Sequence, residues 1–105
     1  MKKKIIKVIN EFGPLTQKDI VKIFDYRITK RQLRKLIHEI REEQLAPIIS
    51  TNEGYKITYN IKELREFRNK MQKQAKTLFL TASNISYFIH DAQYRKEHEQ
   101  LKLEV

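Results

Sequence analysis

The chain has 105 residues, of which 40 % are apolar and 33 % charged, a balance typical of one folded domain with an extension. It contains no cysteine, which excludes disulfides, thiolate zinc sites and cysteine nucleophiles and fits a cytoplasmic location. The formal net charge of +9 favours an anionic partner, and residues 1–35 carry almost all of it, with eleven basic residues against three acidic ones.

The N-terminus combines lysines with isoleucines, as the start of a signal peptide does. Lys7, Asn10 and Glu11 interrupt the apolar stretch that such a peptide needs, so we do not expect secretion. No apolar run approaches the roughly 18 residues that a membrane-spanning helix requires, and we expect no membrane partner.

The first two predicted elements are short helices. Residues 3–12 show helical spacing of their apolar side chains, and Gly13-Pro14 ends that helix. The side chain of Thr16 can cap a second helix reaching about Phe24, with Asp19 completing a capping box. The apolar residues expected to face the core are Ile5, Ile6, Val8, Ile9 and Phe12 in the first helix and Ile20, Val21 and Phe24 in the second.

A third helix is predicted from Thr29 to about Glu43. Thr29 and Gln32 have the spacing of a second capping box. The buried stripe recurs at helical intervals and consists of Leu33, Leu36, Ile37 and Ile40.

A β-hairpin is predicted after the break at Ala46-Pro47. Residues 48–51 form its first strand, and residues 52–54 form a short turn in which Gly54 can adopt a positive φ. The second strand alternates apolar and polar residues, with Tyr55, Ile57 and Tyr59 on the buried side.

From Ile61 onward there is no glycine or proline, and apolar residues recur every three or four positions. We predict an amphipathic helix over residues 61–90, with a possible break at 81–84, and a charged tail over 91–105. Two interpretations of this apolar face stay open: it forms a homodimer, or it covers the back of the domain. The predicted dimer contacts are Leu64, Phe67, Met71, Leu78, Ile85 and Ile89.

The predicted fold is α+β and mostly α: a winged helix over residues 1–60, with three helices and a hairpin wing, followed by the long helix. In this fold the third helix enters the major groove of DNA with its N-terminal end. Its face opposite the apolar stripe is basic. The candidate DNA-binding residues are Lys30, Arg31, Gln32, Arg34, Lys35 and His38 on this helix, Lys56 on the wing, and Lys2, Lys3 and Lys4 at the N-terminus.

Each kind of side chain in this set has its own expected role. Arg31 and Arg34 can contact guanine edges or phosphates, whereas Lys30 and Lys35 suit phosphates. Gln32 can contact adenine if its side chain is not used in the cap. A charged run on a helix is more commonly a solvated surface, but the capped helix, short turn and hairpin coincide here and favour DNA.

The stretch from Leu15 to Tyr59 resembles winged-helix domains of the biotin-repressor type, above all those of small Gram-positive phage and prophage proteins. The segments that carry the resemblance are "ITKRQLRKLIHEIREE", "PIIS" and "GYKITYN", and "IKELREFRNKMQKQAKTLF" is similar to the helix that follows the wing in those proteins. The resemblance covers about residues 3–80. It implies recognition-helix positions for Lys30, Arg31, Arg34 and Lys35 and a wing position for Lys56, although the short turn with one lysine implies weak wing contacts.

Two functions remain open. The first is a double-stranded-DNA-binding regulator or replication accessory, which as a dimer would bind a near-palindrome. The second is a phage-type inhibitor or adaptor that binds a host protein through the same fold. Its basic face would compete with DNA on that partner, and Tyr87-Phe88-Ile89 and Tyr94 would form an aromatic docking strip.

We expect no enzyme, no cofactor and no metal. His38-Glu39 lacks the second histidine, four residues on, that a zinc helix needs, because Glu42 stands there. Two glycines are too few to build a phosphate-binding loop.

Overall fold

The computed structural model describes the backbone of residues 1–103 and the side chains of residues 1–98. The protein is mostly helical, with one small antiparallel hairpin and a long C-terminal helix. The elements are α1 (Lys2–Phe12), α2 (Gln17–Ile23), α3 (Lys30–Glu42), β1 (Ile48–Thr51), β2 (Gly54–Ile57) and α4 (Ile61–Leu103).

Both predicted capping boxes are confirmed. The hydroxyl of Thr16 accepts a hydrogen bond from the Asp19 amide, and the Thr16 amide donates to the Asp19 carboxylate, both at 3.1 Å. Thr29 and Gln32 make the equivalent pair at 3.1 and 2.9 Å. Each box satisfies two backbone donors that a helix start leaves unpaired, so the starts of α2 and α3 are fixed by local sequence.

The first compact unit is Met1–Arg68. Helices α1, α2 and α3 bury their apolar stripes against one another and against β1. The prediction that Phe12 faces this core is wrong, since its side chain is 63 % exposed. Phe12 is the last residue of α1, where the chain turns away towards Gly13. The largest fully buried side chains are Ile5, Ile9, Ile20, Leu33, Ile37 and Ile40.

The hairpin pairs β1 with β2 in antiparallel register from Ile48 opposite Ile57 to Thr51 opposite Gly54. A third segment joins it, because Leu15 and Tyr55 exchange backbone hydrogen bonds of 3.0 and 2.8 Å. This bridge, which sequence patterns did not predict, ties the loop before α2 to the hairpin. Two strands alone are marginal in water, so this bridge and the buried Ile48 hold the hairpin against the helices.

The predicted inward position of Tyr59 is wrong. Strand β2 ends at Ile57, Thr58 is buried, and Tyr59 is 78 % exposed. The Thr58 hydroxyl accepts a hydrogen bond from the Asn60 amide at 3.1 Å as the chain turns into α4. The alternation of a strand therefore no longer sets which side chains are buried after Ile57.

Helix α3 ends in a Schellman motif. The Leu45 amide donates to the Ile40 carbonyl and the Gln44 amide to the Arg41 carbonyl, at 3.0 and 3.1 Å. Gln44 has a φ of 57°, in the left-handed region that glycine adopts without steric cost.

We expect Gln44→Gly to stabilise the protein by about 1 kcal/mol, because it relieves left-handed strain at an exposed position. Urea unfolding followed by circular dichroism measures this change. The matched control is Lys35→Gly, which places the glycine at an exposed position inside α3 and should destabilise by about 1 kcal/mol. A loss of stability in Gln44→Gly would contradict the assignment of a left-handed C-cap to this end of α3.

Helix α4 begins in the first unit and continues into a second unit that starts at Asn69. The predicted break at 81–84 does not occur. The Thr81 hydroxyl donates to the Thr77 carbonyl and the Ser86 hydroxyl to the Ala82 carbonyl, both at 3.1 Å, so these polar side chains are accommodated on the helix itself. Residues 91–103 of the predicted tail continue α4, whereas 104–105 lie outside the described residues.

In the part of the chain that the structure describes, no helix combines the length and apolar content needed to cross a membrane.

Candidate nucleic-acid interface

The N-terminal half of α3 presents four cations on one exposed face. Because successive residues are about 100° apart on a helix, Arg31 and Lys35 lie opposite the buried Leu33 and Ile37, with Arg34 beside them, whereas Lys30 begins the helix one turn before Leu33. All four side chains are exposed. We call this set the basic cluster; it consists of Lys30, Arg31, Arg34 and Lys35.

The basic cluster has no acidic partner. Within residues 1–98, none of its four side chains makes an ion pair or a side-chain hydrogen bond. The positive end of the α3 dipole lies at the N-terminus of the helix, beside the basic cluster, and adds to the positive potential there. This surface is therefore suited to a polyanion.

Two acidic residues near the end of α3 are paired with Lys2, and a third lies beside a histidine. The Lys2 ammonium lies 3.3 Å from the Glu39 carboxylate and 2.8 Å from that of Glu43. His38 Nε2 lies 3.5 Å from the Glu42 carboxylate. The carboxylates of Glu39 and Glu43 are thus compensated by Lys2 rather than by the basic cluster.

Four of the predicted DNA contacts have other partners. Lys2 is held by the C-cap Glu43 and by Glu39 of α3, and these contacts raise its pKa. The Lys56 ammonium lies 3.0 Å from the Glu63 carboxylate. The Gln32 side-chain oxygen accepts the capping hydrogen bond from the Thr29 amide. His38 lies beside Glu42, although its side chain is 77 % exposed. The remaining candidates at the N-terminus, Lys3 and Lys4, are exposed.

Three further cations in the same unit were not predicted from the sequence as part of the site. Lys18 and Lys22 lie on α2, which packs against α3, and Arg27 lies in the turn between the two helices. All three are exposed. The sequence did contain a signal for these three cations. Residues 1–35 carry eleven basic residues, which is more than the candidates on α3 and at the N-terminus account for.

Arg41 has a structural role that local patterns did not reveal. Its guanidinium donates to the Ile48 carbonyl at 2.9 Å and to the Ser50 hydroxyl at 3.1 Å. It also lies 5.1 Å from the centre of the Phe67 ring and 6.0 Å from that of Tyr55. Burial lowers the pKa of this guanidinium. Arg41 therefore joins the end of α3 to the hairpin and to the first turns of α4.

Leu64 and Phe67, two of the predicted dimer contacts, are half-buried in this first unit. They line a shallow cavity with Ala46, Pro47 and Ile48. Their position favours the interpretation that the start of α4 covers the domain.

The ion pair between Lys56 and Glu63 links the hairpin to α4. Hydrogen bonds from Lys56 and Thr58 hold the pKa of the Glu63 carboxyl below its ordinary value of 4.5. A carboxyl with a lowered pKa in the folded state stabilises the protein above its unfolded-state pKa. That contribution is lost as the pH falls through the folded-state value.

We therefore expect Glu63→Gln to lower the melting temperature at pH 7. The difference between wild type and variant should shrink as the pH falls below about 4.5. Thermal unfolding at pH 7, 4 and 3 measures the difference between wild type and variant. Glu66→Gln, on the same helix and exposed, is the control. A wild-type-to-variant difference that stays constant down to pH 3 would contradict the proposed role of this carboxylate.

Among the described residues, no group of three or more side chains that commonly bind metals lies together. Comparison of the chain with protein-family models, with curated proteins and with solved structures found no match. The function proposed for the interface therefore rests on its own residues.

Proposed function

We propose that the first unit is a winged-helix domain that binds double-stranded DNA, with α3 in the major groove. The observation that carries the proposal is the basic cluster: four exposed cations without acidic partners, on one face of a capped helix. Such a face attracts phosphates, and its arginines can reach base edges.

The order of elements supports this proposal. Three helices precede a two-stranded hairpin, and the second and third helices are joined by a short turn in which Asp25 and Tyr26 have positive φ. This is the arrangement in which a helix-turn-helix presents its second helix to DNA and a hairpin lies beside it.

Within the interface we assign base contacts to Arg31 and Arg34 and phosphate contacts to Lys30 and Lys35. The forked guanidinium can donate two parallel hydrogen bonds to guanine, whereas a lysine acts as a point charge. Lys18, Lys22 and Arg27 extend the phosphate-binding surface. The hairpin contributes little charge, because Lys56 is paired with Glu63.

A chain with this interface can act as a transcriptional regulator or as a replication accessory in the cytoplasm. Both roles require the same binding of duplex DNA.

The proposal is tested by fluorescence anisotropy with a labelled duplex, first selected from random DNA, at several salt concentrations. Contacts with about four to six phosphates should give a slope of roughly −4 to −5 in a plot of log affinity against log salt. A single strand of the same length is the control and should bind more weakly, because it has no major groove. Binding that is absent, or that does not depend on salt, would overturn the proposal.

A further inference from the structure

The second unit leaves its apolar side chains uncovered. Every residue from Met71 to His90 is exposed, with Leu78 at 71 % and Ile85 at 55 %. Residues 77–90 contain no aspartate, glutamate, lysine or arginine. A helix with so much exposed apolar surface gains stability when another helix covers it.

Seven apolar residues of α4 follow a heptad pattern, whereas Phe79, Leu80, Tyr87 and Phe88, which are also exposed, lie outside it. The seven alternate in steps of four and three residues, which keeps them on one stripe and is the spacing of a two-helix coiled coil. Leu64 and Phe67 are not part of this stripe, because they are half-buried in the first unit. We call the stripe the seam; it consists of Met71, Ala75, Leu78, Ala82, Ile85, Ile89 and Ala92.

From Ala75 to Ala92 the seam is symmetric about its centre, between Ser83 and Asn84, whereas Met71 lies opposite Lys96. If two copies run antiparallel about this centre, Ala82 faces Ile85 of the other copy, and a large side chain meets a small one in both central layers. The outer layers pair like with like, since Leu78 faces Ile89 and Ala75 faces Ala92. In a parallel dimer Ala82 would face Ala82 and Ile85 would face Ile85, so one central layer would be narrow and the next wide, which favours voids.

The charges that flank the seam favour the same orientation. Residues 61–76 carry six basic and two acidic side chains, whereas residues 91–98 carry two of each. A parallel dimer places the two basic segments side by side, which is repulsive. The antiparallel dimer places each basic segment beside the more acidic end of the other copy, with Lys76 level with Asp91 and Lys70 level with Glu97.

We propose that a second copy of this chain covers the seam and that the two copies form an antiparallel coiled coil centred between Ser83 and Asn84. The proposal does not depend on DNA binding by the first unit. It adds that each assembly carries two copies of the basic cluster.

Because the chain has no cysteine, a single cysteine gives one spin label per copy. Full-length Gln74→Cys carries the label nine to ten residues from the proposed centre. At a rise of 1.5 Å per residue, the antiparallel dimer predicts a label separation of about 30 Å. A parallel dimer predicts a separation of about 10 Å, which broadens the continuous-wave spectrum. The control Thr81→Cys lies near the centre and should show a short separation, below about 20 Å.

Two results would overturn the proposal. A short separation at Gln74→Cys contradicts the antiparallel orientation. An absence of spin–spin coupling at both positions shows that the chain is monomeric and leaves the seam to a different kind of partner.

Sedimentation equilibrium of unlabelled protein tests the seam itself. Wild type should behave as a dimer of the 12.7 kDa chain. Ile85→Glu should weaken dimerisation about 100-fold or more, because it buries an unpaired charge. The control Tyr87→Glu changes an exposed residue outside the seam and should alter the dissociation constant by a few-fold at most. Equal effects of the two substitutions would contradict the assignment of the seam.

Discussion

Replacement of both Arg31 and Arg34 by alanine should abolish most of the sequence-specific affinity for DNA. Each arginine that contacts a base edge contributes about 1–3 kcal/mol to the free energy of specific binding, and each arginine that contacts a phosphate contributes less. Both side chains are exposed and lack acidic partners, so their removal leaves the fold intact. Anisotropy titrations against the selected duplex and against an unrelated duplex measure the specific and non-specific parts of the loss.

The control for this experiment must remove the same charge elsewhere. Lys73→Ala with Arg95→Ala does so on α4, where both side chains are exposed. We expect this control to weaken binding to both duplexes slightly and to a similar extent. If the control and the Arg31/Arg34 variant lose equal affinity for the selected duplex, net charge alone explains the binding and α3 is not the recognition helix.

Gly54→Ala should be the most destabilising single change in the hairpin. Gly54 has a φ of 127°, and an added Cβ would collide with the backbone of Leu15 and Thr16. The positive φ costs about 1–2 kcal/mol and the overlap about 1–3 kcal/mol more. We therefore expect a loss of about 2–5 kcal/mol in the free energy of unfolding, measured by urea denaturation.

Asn52→Ala, in the same turn, provides the matched control. Asn52 is exposed, and its replacement should change stability by less than about 0.5 kcal/mol. If Gly54→Ala were equally neutral, the close approach of the hairpin to the loop before α2, and with it the Leu15–Tyr55 bridge, would be wrong.

Local sequence predicted the order and approximate bounds of the elements because their signals are local. The Thr16 and Thr29 capping boxes span four residues each, and the α3 stripe repeats within three turns. The basic face of α3 follows directly from the same periodicity, since whatever lies opposite Leu33 and Ile37 is exposed. The candidate cluster was therefore predictable from residues 29–43.

The features that were not predicted depend on contacts between different elements, whether the partners are far apart in the chain or, as with Lys56 and Glu63, only seven positions apart. Lys2 pairs with Glu43, 41 positions away, and Arg41 contacts Phe67 and the β1 backbone. No periodicity or spacing links such partners, so the sequence left Lys2 and Lys56 among the DNA contacts. Phe12 and Tyr59 were assigned to the core for a related reason. The residue repeat of a helix or strand predicts which side chains are buried within that element, but not at its end.

The pairing of these lysines narrows the proposed interface. Without Lys2 and Lys56, seven exposed cations of the first unit lie on α3, α2 and the turn between them, and others include Lys3, Lys4 and Lys7 on α1 and Lys62 and Arg65 at the start of α4. This distribution places the proposed DNA contacts on the helix-turn-helix rather than on the hairpin.

The most direct test of α3 as the DNA-binding element is an amide NMR titration of the full chain with the selected duplex. We predict the largest chemical-shift changes at the basic cluster, smaller ones at Lys18, Lys22 and Arg27, and little change at the hairpin turn of Asn52 and Glu53. Changes concentrated in the hairpin or along α4, with residues 30–35 unaffected, would contradict that assignment.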